Sequence, residues 1–226
     1  MKGKYDKNYT ENGYLMNYKK GPNQAHYSNR VLQFRIELKD ISPLVWRRIL
    51  IPSDYNFWGL HVAIQDSMGW QDKHLHHFQI KRKHGHKSAR IGIPDFDGVF
   101  SNSPEIFPGW EIPVIKYFNA LGITANYLYD YGDSWEHSVQ LEGYLYKKKG
   151  SKYPCCIDGA RSCPPEDCGG VNGYSHLLEI LSDPQDSEYE HMKSWIGENW
   201  GPEKFHKDRV KFDNPYFRWK NAFLKK

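Results

Sequence analysis

Strand signals and helix signals occupy different parts of this chain. Leu32, Phe34, Ile36 and Leu38 alternate with Gln33, Arg35 and Glu37, the period of two that turns one face of a strand toward a core. Ile41-Ser42-Pro43 is a turn, and Leu44 to Ile51 reads as a second strand. Lys73 to Ile80 reads as a third strand. Thr124 to Asp130 and Ser134 to Tyr146 form a hairpin around Tyr131-Gly132-Asp133. Among the strands lies one helix: Ser53, Asp54 and Asn56 offer N-caps, Leu60, Ala63, Ile64 and Met68 recur at helical spacing, and Gly69 offers a stop. From residue 174 onward helices dominate. Ser175 is placed to cap HLLEILSD, Ser187 and Glu190 have capping-box spacing, and Asn214-Pro215 supplies an N-cap and first-turn proline. Residues 92–113 and 151–173 read as irregular stretches, with a short helix at Val114 to Leu121. Segregation of this kind predicts an α+β fold rather than alternating βαβ units. The sheet is expected to be mainly antiparallel over about residues 31–146 and packed with helices, with a helical C-terminal part.

Residues 1–29 are rich in Lys, Tyr, Asn and Gly with little to bury, and read as a flexible extension to one domain spanning 30–226. That stretch carries no signal-peptide pattern, and no apolar run approaches a membrane span. A cytoplasmic protein without a membrane partner is therefore expected, with its four cysteines as thiols or metal ligands rather than disulfides. The net charge of +4 is too small to imply a polyanionic partner by itself.

Four constellations can carry chemistry. In the hairpin segment YDYGDSWEH (129–137), strand parity puts Trp135 and His137 on the apolar face and Glu136 on the other. Asp130 and Asp133 flank the turn glycine. They either serve the turn or converge with His137 on a metal or substrate. His74 and His76, two positions apart on the expected third strand, can chelate one cation. The alternative is that both pair with carboxylates above an aromatic core. Cys155, Cys156, Cys163 and Cys168 lack CxxC spacing but could still hold a structural zinc. The PPED run that ends in Glu166 and Asp167 reads equally as a rigid loop. Basic clusters at Lys81 to Arg90, Lys147 to Lys152, and Lys204 to Lys211 with Arg218, Lys220, Lys225 and Lys226, the last interleaved with aromatics, could track a nucleic-acid backbone or simply face solvent.

YDYGDSWEH at 129–137, HLHHF at 74–78, CPPEDCGG at 163–170, GYSHLLEIL at 173–181 and the segment 186–210 together resemble the plasmid pRiA4b ORF-3-like family. The resemblance covers about Val31 to Val210. It implies an α+β domain associated with plasmids and insertion elements, and it brings no agreed activity.

Two functional readings follow. One is a binding or regulatory domain whose partner is nucleic acid or a protein of the same mobile element. The other is a metal-dependent hydrolase in which His74, His76, Asp133 and His137 are the candidate ligands of a divalent metal such as zinc. Glu136 or Glu166 would then be the general base.

Overall fold

The computed structural model describes residues 29–81, 88–94, 105–197 and 199–224. These form one eight-stranded sheet in the order β5-β4-β3-β6-β7-β1-β2-β8. The strands are β1 (Arg30–Leu38), β2 (Trp46–Pro52), β3 (His76–Ile80), β4 (Ala89–Gly92), β5 (Ile106–Pro108), β6 (Thr124–Tyr129), β7 (Trp135–Tyr146) and β8 (Cys155–Ala160). All neighbours are antiparallel except β4 and β5. The helices are α1 (Phe57–Met68), α2 (Gly170–Ser182), α3 (Tyr189–Ile196) and α4 (Pro215–Phe223). The expected α+β fold with a mainly antiparallel sheet is the fold observed.

Alternation in β1 does what the sequence predicts. Leu32, Phe34, Ile36 and Leu38 are fully buried. Arg35 and Glu37, on the other face, pair with each other at 2.5 Å. On that outer face Arg48 of β2 also reaches Glu142 of β7 at 2.7 Å, and its guanidinium lies over the Trp46 ring. Parity in β7 holds too: Trp135, His137, Val139 and Leu141 are buried, and Glu136 is exposed.

α1 begins where expected. The Asn56 side chain accepts from the Gly59 N–H at 2.8 Å, and Gly69 ends the helix at φ +89°. Nearly every residue of α1 is buried, because the helix lies between two apolar layers. Phe57, Leu60, Ile64 and Met68 join the main core against the sheet. Trp58 and Val62 face the other way and pack with Trp110, Trp219 and Phe223. α4 is thus a second cover over α1, seated by Asn214, whose side chain accepts from the Tyr216 and Phe217 N–H groups.

Several boundaries differ from expectation. The third strand starts at His76, not Lys73, because residues 71–75 bend past α1, with Asp72 at φ +59°. The stretch 151–173 contains an edge strand, β8, and 92–113 contains β5. The expected helix at Val114 to Leu121 is a single 3-10 turn, Val114–Lys116. α2 starts at Gly170, so Ser175 lies inside it and donates to the Val171 carbonyl instead of capping. α3 starts after Glu188 without a side-chain cap, so the Ser187/Glu190 capping box does not form. The expected flexible extension, residues 1–28, lies outside the described residues.

Candidate metal centre

Three segments far apart in sequence meet at the mouth of the β6–β7 turn. Asp130 follows β6 with φ +59°, a left-handed backbone that Asp tolerates better than most residues. Its Oδ1 accepts from the Gly132 N–H at 2.8 Å and the Asp133 N–H at 3.3 Å, closing the turn. The other oxygen, Oδ2, faces His74. His74 belongs to the bend before β3, fixed on either side by Lys73 N–H donating to the Tyr129 hydroxyl and Asp130 N–H donating to the Leu75 carbonyl.

The Pro164–Gly170 loop supplies the third side. Trp70 Nε1 donates to the Pro164 carbonyl at 2.9 Å, and the Gln71 N–H donates to Glu166 Oε1 at 2.6 Å. The Tyr129 hydroxyl also donates to Glu166, at 3.1 Å. Burial, and then the nearby Glu166 charge, push the Tyr129 phenol well up, so it remains a donor. Asp167 takes φ +58°. Asp133 turns away from this group and accepts from the Gly169 N–H at 3.1 Å, so its carboxylate sits at the N-terminus of α2. Gly170 makes that approach possible: at φ +67°, a Cβ there would lie 2.5 Å from the Asp133 carbonyl oxygen.

The result is one imidazole nitrogen facing three carboxylates. His74 Nε2 lies 3.1 Å from Asp167 Oδ1, 3.5 Å from Glu166 Oε2 and 3.6 Å from Asp130 Oδ2. The nitrogen is sheltered from solvent yet has no well-directed hydrogen bond. One atom each from His74, Asp130 and Asp167 lies within 4.8 Å of the others. Ligands on bonds of about 2.0–2.1 Å at a tetrahedral angle stand about 3.3 Å apart. The His74 distances are of that size, so these residues could hold a small divalent cation.

Other expected members lie elsewhere. His76 is on the core side of β3, stacked on His61 of α1 with ring centroids 3.4 Å apart and planes 7° from parallel. It therefore does not chelate alongside His74, because the strand on which the two would share a face begins only at His76. His61, Asp72 and His76 do form a second group of close potential ligands. Imidazole lone pairs lie in the ring plane, however, so face-to-face rings cannot both aim at one ion. His61 is instead spanned by hydrogen bonds to Asp72 at 2.7 Å and the Tyr127 hydroxyl at 2.8 Å. It escaped the sequence reading because a lone His in an apolar helix reads as core.

His137 is fully buried, its Nδ1 near the Trp135 and Tyr127 carbonyls at 3.1 and 3.3 Å. Burial pushes its pKa down to about 4. Glu136 is on the opposite face, bonded to Lys39 and Asn126, and the Lys39 contact holds its carboxyl below the usual range. It is not placed to act as a base at His74. No group of three close ligand atoms among the described residues includes a cysteine. Cys155 and Cys156 project to opposite faces of β8. Cys163 is buried in the core, and Cys168 precedes α2. Burial pushes the Cys163 thiol far up and the Cys168 thiol to about 12, so neither is a thiolate at neutral pH.

The basic clusters divide. Residues 82–87 of the first lie outside the described residues. In the tail, Trp219 and Phe223 pack over α1, Arg47 stacks on Phe205, and Arg218 pairs with Asp66 and Asp213. Those side chains tie the tail to the fold. No described helix is long and apolar enough to cross a membrane.

The plasmid pRiA4b ORF-3-like protein family matches residues 30–209, a span that includes all four members of the His74 cluster. Uncharacterized protein y4hQ of Sinorhizobium fredii is 29% identical over 168 residues, covering 74% of this chain and 81% of that protein. A crystal structure of a protein of unknown function, MM3350 from Methanosarcina mazei Go1, superimposes with a TM-score of 0.73 at 36% identity. It covers 81% of this chain and 99% of that one. The overall fold thus accompanies the sequence match, and the chain belongs to the plasmid pRiA4b ORF-3-like family.

Proposed function

We propose that this domain binds a divalent cation through His74, Asp130 and Asp167 and uses it for hydrolytic chemistry. The observation that carries the reading is the placement of His74 Nε2 between carboxylate oxygens at 3.1–3.6 Å, drawn from the β6–β7 turn and the Pro164–Gly170 loop. An ion held there lowers the pKa of a bound water. Glu166 Oε2 faces the same space and is the candidate base. Its partner oxygen Oε1 is held by Gln71 and Tyr129, which fixes the carboxylate's orientation. A cytoplasmic setting and an association with plasmids or insertion elements belong to the same proposal.

The test is titration of metal-free protein with Zn²⁺, Mn²⁺ and Mg²⁺ by calorimetry, alongside His74→Ala and Asp130→Asn. One ion per chain, lost or weakened at least tenfold in both variants, is the expected result. Absence of stoichiometric binding, or equal binding by His74→Ala, sinks the metal reading. Screening the loaded protein against phosphate and carboxylate esters then tests the hydrolytic step. Failure to turn over any ester, with the ion bound, leaves a binding module.

A further inference from the structure

Two members of the His74 cluster, Glu166 and Asp167, also line a cleft of about 800 Å³ that carries several basic side chains. Glu166 and Asp167 bring the negative charge. Lys73, Lys204, Arg209 and Lys211 line it as well, all of them exposed, and the other lining carboxylate, Asp66, is already paired with Arg218. None of these four cations has a carboxylate partner among the described residues, whereas Arg35, Arg48, Arg161 and Arg218 each have one. Trp195 of α3 stands in the same cleft with 48% of its surface exposed. It is the one tryptophan that stands among the exposed large hydrophobics.

We infer that the ligand of this site is a nucleotide, its phosphate held by Lys204, Arg209 and Lys211 and its base stacked on Trp195. The inference rests on the divalent-cation reading of the His74 cluster. Exposed Lys and Arg side chains without a carboxylate partner are the groups that attract phosphate, and an open indole face accepts any base. The cleft's volume suits a small organic ligand. Asp167 links the cluster to the cleft, because it both lines the cleft and stands 3.1 Å from His74. Without a cation the Glu166 and Asp167 carboxylates repel a phosphate. With one, the cluster attracts it. Nucleotide binding is therefore expected to require the metal.

The experiment uses the full chain with Mn²⁺. Adenosine monophosphate is titrated by calorimetry, and a fluorescein-labelled thymidine oligonucleotide is titrated by anisotropy, each with and without metal. At least one is expected to bind, only with Mn²⁺ present and more weakly as salt rises. The source of the nucleotide is read from which binds more tightly, the free nucleotide or the strand. Trp195→Ala should weaken binding about tenfold. The Lys204→Ala/Arg209→Ala/Lys211→Ala triple variant should weaken it at least tenfold, while Mn²⁺ affinity stays unchanged in both variants. Mn²⁺ binding without binding of either ligand overturns this inference and leaves the metal reading intact. Absence of Mn²⁺ binding, measured beforehand without nucleotide, overturns the metal reading itself. Inorganic phosphate competing as well as adenosine monophosphate, or unchanged affinity in Trp195→Ala, removes the base from the proposal.

Discussion

Acidification should destabilise this protein well before its carboxylates titrate, and His137 gives a measurable share. Its ring lies wholly inside the core, with Nδ1 near the Trp135 and Tyr127 carbonyls, which fixes the proton on Nδ1. Nε2 has no partner among the described residues, so a second proton would sit buried and unsatisfied. That is why burial lowers the folded-state pKa from 6.5 to about 4. The unfolded chain takes up this proton near pH 6.5 and the folded chain only near 4. The stabilisation is therefore complete above 6.5, declines as pH falls, and is gone below 4. The full difference is roughly 3 kcal/mol, of which about 2 kcal/mol is lost between pH 7.5 and 5. His77, also buried and lowered to about 4, adds a similar loss over the same window. The lowered carboxyls of Glu136 and Glu142 act only as pH falls below the ordinary carboxylate range. Urea denaturation of wild type and His137→Leu at pH 7.5 and 5 measures the effect. The variant should be less stable at pH 7.5, and its loss on acidification should be smaller by about 2 kcal/mol. Identical pH dependence in the two proteins, or an imidazole resonance for His137 titrating near 6.5, would refute the reasoning.

Three further outcomes are expected. Asn214→Ala removes the acceptor for the Tyr216 and Phe217 N–H groups and should cost about 1 kcal/mol of stability in denaturant melts. Gly170→Ala combines φ +67° with a Cβ 2.5 Å from the Asp133 carbonyl oxygen. It should cost roughly 1–3 kcal/mol and also weaken divalent-ion binding, because it pushes the loop away from the turn. Glu166→Gln keeps the shape but loses the charge that orients the cluster, and should lower divalent-ion affinity about 10–100-fold in calorimetry.

What could be read from sequence was what short-range periodicity controls. The alternation of Leu32 to Leu38 and the parity of Trp135 and His137 follow from strand geometry alone, and Asn56 and Asn214-Pro215 are local caps. The edge strand β8 was hidden because its residues are half-buried, with no contrast between faces. His74 and His76 were linked by a parity rule that holds only inside a strand, and the chain bends between them. The association of Asp130 with Asp167 was beyond local reading altogether. It depends on Asp133 reaching Gly169, 36 positions away. Glu166 and Asp167 were candidates from the PPED run, but only the Gln71 N–H bond to Glu166 Oε1 shows which oxygen is turned toward His74.

The positive φ angles of Asp130 and Asp167 bear on ion selectivity. A left-handed φ fixes where each Asp Cβ stands, and the bonds made by its neighbours then orient the group. Here those neighbours are the Asp130 turn bonds and the Trp70 and Gln71 contacts to the loop. A framework held in this way favours one radius. It suits ions with short bonds, and it offers fewer protein oxygens than the six to eight at about 2.3–2.6 Å that calcium takes. Calcium should therefore be discriminated against by size, although carboxylates dominate the cluster.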